Sequence, residues 1–539
     1  MQVHRKAYPL PGPRNRRRPG VRRLAVAMAV CLAPGAAVFV PTVSFAAVPS
    51  FHTSLDPSKV KESMQYLVKT FGVSEAEALR RLELQNDAQA LHAMLSEQSA
   101  ASYGGMSLDH DNGGVLVLST TRPADVEAYV ASMPDRAHVR TRTVKRSLQA
   151  LEQTRETLAK QVGEGADSVY VTSVDTENNS VVMWERGWVA ESKSNGTWAE
   201  KSGRNRPTTA VPGDQRLAVS AEKSKADAAV KMVPTAVERR VLPEPKQSYT
   251  PYIDWGTCHP LYCKSVYGGM RGGLRLNIRR DNGTTGGCTA GFNVRSGGGD
   301  VNGWGWVLTA GHCVVGKTNT VKVHHNGYNI LNPHGVAGGY YMEVNSYPYD
   351  FAFLNYISGT ESGAWLENWG GTGYRNSVLK YCRNGGQDSN ADTPCGNQAT
   401  EARVTINGYH ALSAIGSGWI VCASGSGSDT ANYPESYDSG AGDGYLVGTR
   451  CGRVLSKDVG INTDVCARAG DSGGPLFSQL DNKAYGILEG DQQSRSGPCA
   501  SGEKNNYTAI SKIYELMETW RTSGYTGGAI FRLITGTNG

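Results

Sequence analysis

Three residues of this 539-residue sequence stand in settings suited to acyl-transfer chemistry, and the most distinctive of them is a serine. Ser472 lies within the segment Gly470-Asp471-Ser472-Gly473-Gly474-Pro475-Leu476. A serine flanked by glycines fits a tight turn, on which the backbone amides of Gly470 and Ser472 converge on one point. The segment therefore predicts a nucleophile with an oxyanion hole formed by these two amides. The alternative is an ordinary glycine-rich turn.

A histidine and an aspartate complete the set. His312 lies next to last in the stretch Trp306–Cys313, and Asp350 directly precedes the apolar stretch Phe351–Leu354. A buried carboxylate is costly unless it is paired, and the ring N–H of a histidine supplies such a partner. We therefore predict Ser472 as nucleophile, His312 as general base and Asp350 as the acid that orients the base. The alternatives are a structural histidine and a surface aspartate that caps a strand.

These motifs resemble those of the chymotrypsin-like serine peptidases, in which histidine, aspartate and serine follow in this chain order. The segment GCTAGFNVRSGGGDVNGWGWVLTAGHC, Gly287–Cys313, is similar to the actinobacterial streptogrisins and to α-lytic protease, as are Val421–Gly425 and Val465–Ser472. The resemblance spans roughly residues 260–525. It implies an all-β double β-barrel with the triad in the cleft between the barrels, no metal or organic cofactor, and protein or peptide substrates.

The cysteines are distributed unevenly along the chain. Cys31 lies near the N-terminus, and the other ten of the eleven lie between Cys258 and Cys499. An even set in an exported chain predicts five disulfides, whereas the spacing of Cys258 and Cys263, without a second such pair, disfavours the alternative of a zinc site. The resemblance implies three pairs and leaves two more by remainder: Cys288–Cys313, Cys422–Cys451 and Cys466–Cys499, then Cys258–Cys263 and Cys382–Cys395.

The first residues have the three parts of an export signal. Eight basic residues lie within the first 23, an apolar run extends over Leu24–Val40, and small residues follow at Ser44-Phe45-Ala46. We expect a signal peptide over residues 1–46 and a secreted protein without a stable membrane anchor; a membrane anchor is the alternative. The first 23 residues carry a charge of +8 and the whole chain a formal net charge of +6, so the residues after the first 23 carry −2. This charge gives no support to nucleic-acid binding.

Two differently built parts follow the leader. Residues 47–200 carry helical periodicity over Lys59–Ser99, with Ser74 and Glu77 as a capping box, and a hairpin pattern over Ser168–Val189. This α+β part resembles the pro-regions of the same family, which assist folding and are then removed. Residues 201–250 have the composition of a linker and processing region. Residues 251–539 alternate short apolar runs with turn residues, as in a β-rich protease domain, and Ile510–Arg521 predicts a C-terminal helix.

The strand expected to line the substrate pocket departs from the family pattern. Glu489 stands where a serine would hold the triad aspartate, Gly490 follows it, and Asp491 stands where a glycine would keep the pocket open. An acidic pocket would favour lysine or arginine before the cleaved bond, as in trypsin-like enzymes. Alternatively, the bulk of these residues narrows the pocket, or both side chains point to solvent.

We therefore expect a secreted serine endopeptidase, made as a zymogen, monomeric, with its own pro-region and its substrates as partners. The alternative from another class is a catalytically weak protease homologue that acts as an extracellular binding module. An esterase is a further alternative, because the same residues can hydrolyse an ester by the same acyl-transfer chemistry.

Overall fold

The computed structural model describes most of the chain between residues 51 and 535. The described residues are 51, 54–166, 168–186, 215–233, 237–242, 270–283, 285–314, 320–325, 328–337, 340–345, 347–357, 376–380, 403–426, 448–491 and 501–535. Within them the α-helices are α1 (Lys61–Phe71), α2 (Glu75–Gln98), α3 (Glu127–Ser132), α4 (Leu148–Val162), α5 (Gln215–Met232) and α6 (Ile510–Thr522).

Capping residues define the helices of the N-terminal region, by which we mean the described residues 51–242. Ser74 accepts a hydrogen bond from the Glu77 amide at 3.2 Å and so begins α2, as its sequence predicts. Ser147 begins α4 in the same way. Gly72 and Gly163 end α1 and α4 in the left-handed conformation, with φ of 64° and 71°, which glycine adopts without strain.

Two three-stranded sheets complete the N-terminal region. One has the order β1-β2-β3 and the other the order β4-β5-β6; in each, the first pair is antiparallel and the second parallel. The predicted hairpin is formed by β4 and β5. The strands are β1 (Tyr103–Asp109), β2 (Val115–Thr120), β3 (Val139–Thr143), β4 (Tyr170–Asp175), β5 (Ser180–Glu185) and β6 (Val237–Val241).

The linker predicted over residues 201–250 contains regular structure. Helix α5 and strand β6 both lie within it, and β6 pairs with β5 of the preceding hairpin. Residues 215–232 and 237–241 thus have regular structure that the composition of this segment does not indicate. Ala226 and Ala229 of α5 are buried in the core of the N-terminal region, so this helix is part of the fold.

The C-terminal residues 270–535 are mostly β-structure. They contain a five-stranded sheet, β15-β16-β10-β9-β25, a four-stranded sheet, β12-β11-β7-β8, and two strand pairs, β13-β14 and β17-β18. These strands are β7 (Arg275–Arg280), β8 (Thr285–Thr289), β9 (Phe292–Gly297), β10 (Gly305–Thr309), β11 (Thr320–His325), β12 (Tyr328–Leu331), β13 (Val336–Ala337), β14 (Tyr340–Tyr341), β15 (Glu343–Val344), β16 (Phe351–Asn355), β17 (Ser377–Leu379), β18 (Arg403–Thr405) and, near the C-terminus, β25 (Ile530–Leu533).

Six further strands form a closed barrel in the order β19-β20-β21-β24-β23-β22. We call the four- and five-stranded sheets together the first β-region, because both contribute buried residues to one apolar cluster that includes Leu276, Val307 and Leu354. The fold is thus one closed barrel beside two packed sheets. The barrel strands are β19 (Ile420–Gly425), β20 (Gly448–Lys457), β21 (Ile461–Thr463), β22 (Pro475–Phe477), β23 (Ala484–Asp491) and β24 (Asn505–Ala509).

The N-terminal region packs against the barrel through buried contacts. The Gln85 side chain is fully buried; its Oε1 accepts from the Ile420 amide at 2.7 Å, and its Nε2 donates to the Ile420 carbonyl at 3.0 Å. Ser63 donates to Gln479 at 2.7 Å, and Glu62 pairs with Lys380 at 2.9 Å. The two parts therefore share one interior. None of the described helices has the length and apolar character needed to cross a membrane.

Candidate active site

His312 lies in a single 3-10 turn, Gly311–Cys313, directly after strand β10. A Cβ at Gly311 would lie 1.7 Å from the carbonyl oxygen of Val344, so only glycine permits this close approach. The turn leaves the His312 side chain 4% exposed. The sequence motif that predicts His312 is thus also the motif that packs the turn against β15.

Asp350 holds His312 through both of its carboxylate oxygens. The His312 backbone amide donates to Oδ1 at 2.7 Å, and the ring nitrogen Nδ1 lies 2.6 Å from Oδ2. Asp350 is fully buried, and a buried carboxylate requires such donors. Because an ionised carboxylate only accepts, Nδ1 carries the proton, and the other ring nitrogen, Nε2, is left as the base. The structure brings these two predicted residues together.

Ser472 lies in a turn that strand β8 of the first β-region holds in place. The Thr289 amide donates to the Ser472 carbonyl at 2.8 Å, and its hydroxyl donates to the Gly470 carbonyl at 2.7 Å. Gly470 and Gly473 have φ of 97° and 82°, the left-handed region that the turn requires. Thr289 positions the nucleophile from the neighbouring sheet, and no local sequence motif identifies it.

The Cys288–Cys313 disulfide lies close to both Ser472 and His312. The Ser472 carbonyl oxygen lies 3.9 Å from the sulfur of Cys313, and a ring nitrogen of His312 lies within 4.8 Å of both sulfurs. The described contacts include no hydrogen bond between Ser472 Oγ and His312 Nε2; such bonds are often long in ligand-free sites. The three side chains do not form a metal site, because both sulfurs are bonded to each other.

Among the described residues, the predicted oxyanion donors have no competing acceptor. Within the described part of the chain, neither the Gly470 amide nor the Ser472 amide donates to a protein atom. Ser472 itself is 4% exposed. Both amides are therefore available for an oxygen of a bound substrate.

A buried ion pair stands behind this turn. Asp471 Oδ2 accepts from the Arg468 amide at 2.9 Å and pairs with Arg450 Nη2 at 2.9 Å, with the two paired side chains 2% and 9% exposed. Arg468 in turn pairs with Glu503 at 2.7 Å. These contacts fix the residue between the two predicted oxyanion donors. Sequence reasoning missed Arg450, and a charged residue inside a barrel strand is the signal that could have identified it.

The predicted pocket residues occupy the end of β23. The pairing of β23 with β24 is irregular between Leu488 and Gly490, which places Glu489 at a bulge. The Glu489 side chain is 1% exposed, so the solvent-facing alternative is not what the structure shows. The backbone of Leu488, not of Glu489, bonds the serine turn, through the Gly473 and Gly474 backbones at 2.8 Å. The side chain of Asp491 lies outside the described residues.

Two of the expected disulfides are confirmed, Cys288–Cys313 and Cys422–Cys451. Cys466 is also disulfide-bonded. Its expected partner Cys499, and the expected pairs Cys258–Cys263 and Cys382–Cys395, lie outside the described residues.

Comparison of the sequence with known protein families finds no match. Among solved structures, the chain is similar to protease A of Thermobifida fusca, with 21% identity and a TM-score of 0.28. It is also similar to a Nocardiopsis protease, with 20% identity and a TM-score of 0.29, and to the chymotrypsin of Cellulomonas bogoriensis, with 22% identity and a TM-score of 0.27. Each likeness covers 50% of this chain and 100% of the other.

Proposed function

We propose that this chain is a secreted serine endopeptidase of the chymotrypsin-like family, with a Ser472-His312-Asp350 triad. The observation that carries the proposal is the double hydrogen bond from His312 to the buried Asp350, beside the serine turn. Burial of a carboxylate costs free energy, and its hydrogen bonds to His312 offset this cost. In this position the carboxylate can orient the imidazole of His312.

The mechanism follows from the placement of the donors and acceptors. Ser472 Oγ attacks the scissile carbonyl carbon, and His312 Nε2 takes the hydroxyl proton. Asp350 stabilises the imidazolium, and the Gly470 and Ser472 amides bind the oxyanion. Collapse of the tetrahedral intermediate breaks the C–N bond, with the proton passing from His312 to the leaving amine. Water then attacks the acyl-enzyme by the same route and releases the acid.

We include the N-terminal region in the proposal as a pro-region that assists folding. Its support is the buried interface with the barrel, in which Gln85 satisfies both backbone groups of Ile420. A barrel closed by non-local strand pairs folds slowly unless these pairs are organised first. Export and a zymogen state complete the proposal; they are supported by the leader sequence and by the disulfides.

The binding-module alternative has one observation in its favour, the buried Glu489 at the β23 bulge, which stands where the family pattern has a serine. It predicts a folded, secreted protein that hydrolyses no peptide. Hydrolysis that depends on the triad distinguishes the two functions.

The test is a pair of substitutions, each with a physical reason. Ser472→Ala removes the nucleophile but keeps the backbone bond to Thr289, and we expect hydrolysis to fall by more than ~10⁴-fold. Asp350→Asn disturbs the tautomer of His312, and we expect a loss of about 10⁴-fold in kcat. Ser478→Ala is the matched control, because Ser478 is a buried serine directly after barrel strand β22 whose hydroxyl bonds the Leu480 amide, Asp481 and Tyr485 rather than a triad residue. Equal activity of all three variants would reject the proposal.

A further inference from the structure

A tyrosine of the segment that leads into Asp350 reaches across to the barrel. Tyr347 is fully buried, three residues before Asp350, and its hydroxyl donates to Oδ1 of Asp458. Asp458 lies between β20 and β21, in the barrel whose next loop carries Ser472. This hydrogen bond therefore joins the segment that carries the triad acid to the part of the fold that carries the nucleophile.

The barrel end of this contact is held by further hydrogen bonds. Besides Tyr347, Asp458 accepts from the Gly460 amide at 2.8 Å and from Asn462 Nδ2 at 3.0 Å, and Asp458 is 5% exposed. A Cβ at Gly460 would lie 2.5 Å from the Tyr347 hydroxyl and 2.7 Å from the Tyr507 carbonyl. The tyrosine thus fits a closed space, and the carboxylate that receives it is fixed by two further donors.

The Tyr347 hydroxyl stays protonated, and therefore remains a donor, at neutral pH. Burial raises the pKa of Tyr347 well above its ordinary value, and the negative charges of Asp458 and Glu489 raise it further. Glu489 is the buried residue at the β23 bulge. It therefore lies near Tyr347, and its carboxylate adds to the field that keeps the hydroxyl protonated.

Within the described part of the chain the Asp350 carboxylate bonds only His312, and Thr289 holds the serine turn from the first β-region. The carboxylate bonds fix Asp350 to His312 but not to the barrel. The distance from His312 to Ser472 therefore depends on contacts made by neighbouring residues.

We propose that Tyr347 and Asp458 are positioning residues for the triad: their hydrogen bond fixes the Asp350 segment, and with it His312, relative to the barrel that carries Ser472. This inference rests on the triad proposed above. A displacement of reacting groups by about 1 Å can reduce turnover ~100-fold, so a single distant hydroxyl can matter for catalysis.

The test compares Tyr347→Phe and Asp458→Ala with Tyr356→Phe. Tyr356 is the matched control, because its hydroxyl donates to Asn293 at 2.9 Å within the first β-region and does not reach the barrel. Each protein is made from the full-length chain, and kcat is expressed per Ser472 labelled by a fluorophosphonate. This normalisation counts only molecules with a reactive Ser472, so kcat can still be compared when part of a variant is unfolded. Asp458→Asn, which retains an acceptor oxygen, is the conservative variant.

We expect kcat of Tyr347→Phe and Asp458→Ala to fall ~10- to 100-fold with little change in KM. We expect the acid limb of the pH–rate profile to move to lower pH, because a displaced Asp350 stabilises the imidazolium less. The double variant should lose no more than the worse single variant, and Asp458→Asn should recover part of the loss.

A purely structural role gives a different result. It lowers the melting temperature and the yield of labelled protein, but leaves kcat per labelled site and the pH profile equal to those of Tyr356→Phe; that outcome overturns the inference. Failure of the proposed function is separate, since the unsubstituted protein would then neither take up the label on Ser472 nor hydrolyse peptides.

Discussion

Replacement of Arg450 by glutamine tests whether the ion pair behind Ser472 maintains the oxyanion turn. Arg450 and Asp471 are 2.9 Å apart, and both side chains are nearly excluded from water. Removal of one partner of a buried pair costs about 3–5 kcal/mol, because the other charge stays buried. Asp471 keeps the Arg468 amide as a donor, so we place the loss in unfolding free energy near the lower limit, at about 3 kcal/mol.

The catalytic effect should exceed what lower stability explains. Asp471 lies between the two oxyanion donors, and loss of one such donor costs about 10²- to 10³-fold in kcat. A turn that shifts without losing its donors should lose less, and we expect a fall of ~10- to 100-fold. Arg450→Lys should recover part of it.

The assay is steady-state hydrolysis of a peptide amide, normalised to labelled serine, together with urea unfolding of the same samples. Arg453→Gln is the matched control on the same strand. Arg453 pairs with Asp111 and, at 3.7 Å, with Asp464, and these pairs are more exposed: 28% for Arg453, 69% for Asp111 and 18% for Asp464. An exposed pair contributes at most about 1 kcal/mol. If Arg450→Gln unfolds more easily but retains the kcat of Arg453→Gln, the link from Asp471 to the oxyanion hole is refuted.

Three further outcomes are expected. Gln85→Ala leaves both backbone groups of Ile420 without their buried partner. When it is introduced into the Ser472→Ala precursor, the unfolding free energy in urea should fall by about 2–4 kcal/mol. The stability of a protein already freed of its N-terminal region should be unchanged. His110 is buried, and desolvation lowers its pKa from 6.5 to about 4. Its contribution to precursor stability is therefore complete above pH 6.5 and falls by about 3 kcal/mol as the pH drops to 4, and urea unfolding across this range should show a shallower pH dependence in His110→Gln. Peptides that end in Arg, Phe, Ala or Glu before the cleaved bond should be cleaved in favour of Arg if Asp491 makes the pocket acidic, and a preference for Phe would exclude that pocket.

The sequence was sufficient for features that are local. The glycine-rich serine turn, the histidine motif and the Ser74 cap each consist of adjacent residues, and the structure places them as expected. The positions of Tyr347 relative to Asp458 and of Arg450 relative to Asp471 depend on contacts across 111 and 21 residues. Neither contact leaves a periodic pattern, so only the folded chain shows it.

The regular structure within residues 201–250 was missed for a different reason. A high density of charge suggested a linker, but the charges of β6 are paired at the surface of a sheet. Arg240 pairs with Asp175 and Glu238 and lies over the ring of Trp184 at 5.6 Å. Composition alone cannot separate a solvated linker from a strand whose charges find partners.

The central claim, that Ser472 is a nucleophile activated by His312, is tested most directly by fluorophosphonate labelling of the secreted product. Peptide mapping should find the phosphonyl group on Ser472 in the unsubstituted protein, and His312→Ala should reduce the rate of labelling by ~10³-fold or more, because the base is lost while the serine remains. An unlabelled Ser472 in folded, processed protein, or labelling at the same rate without the imidazole, would contradict the account.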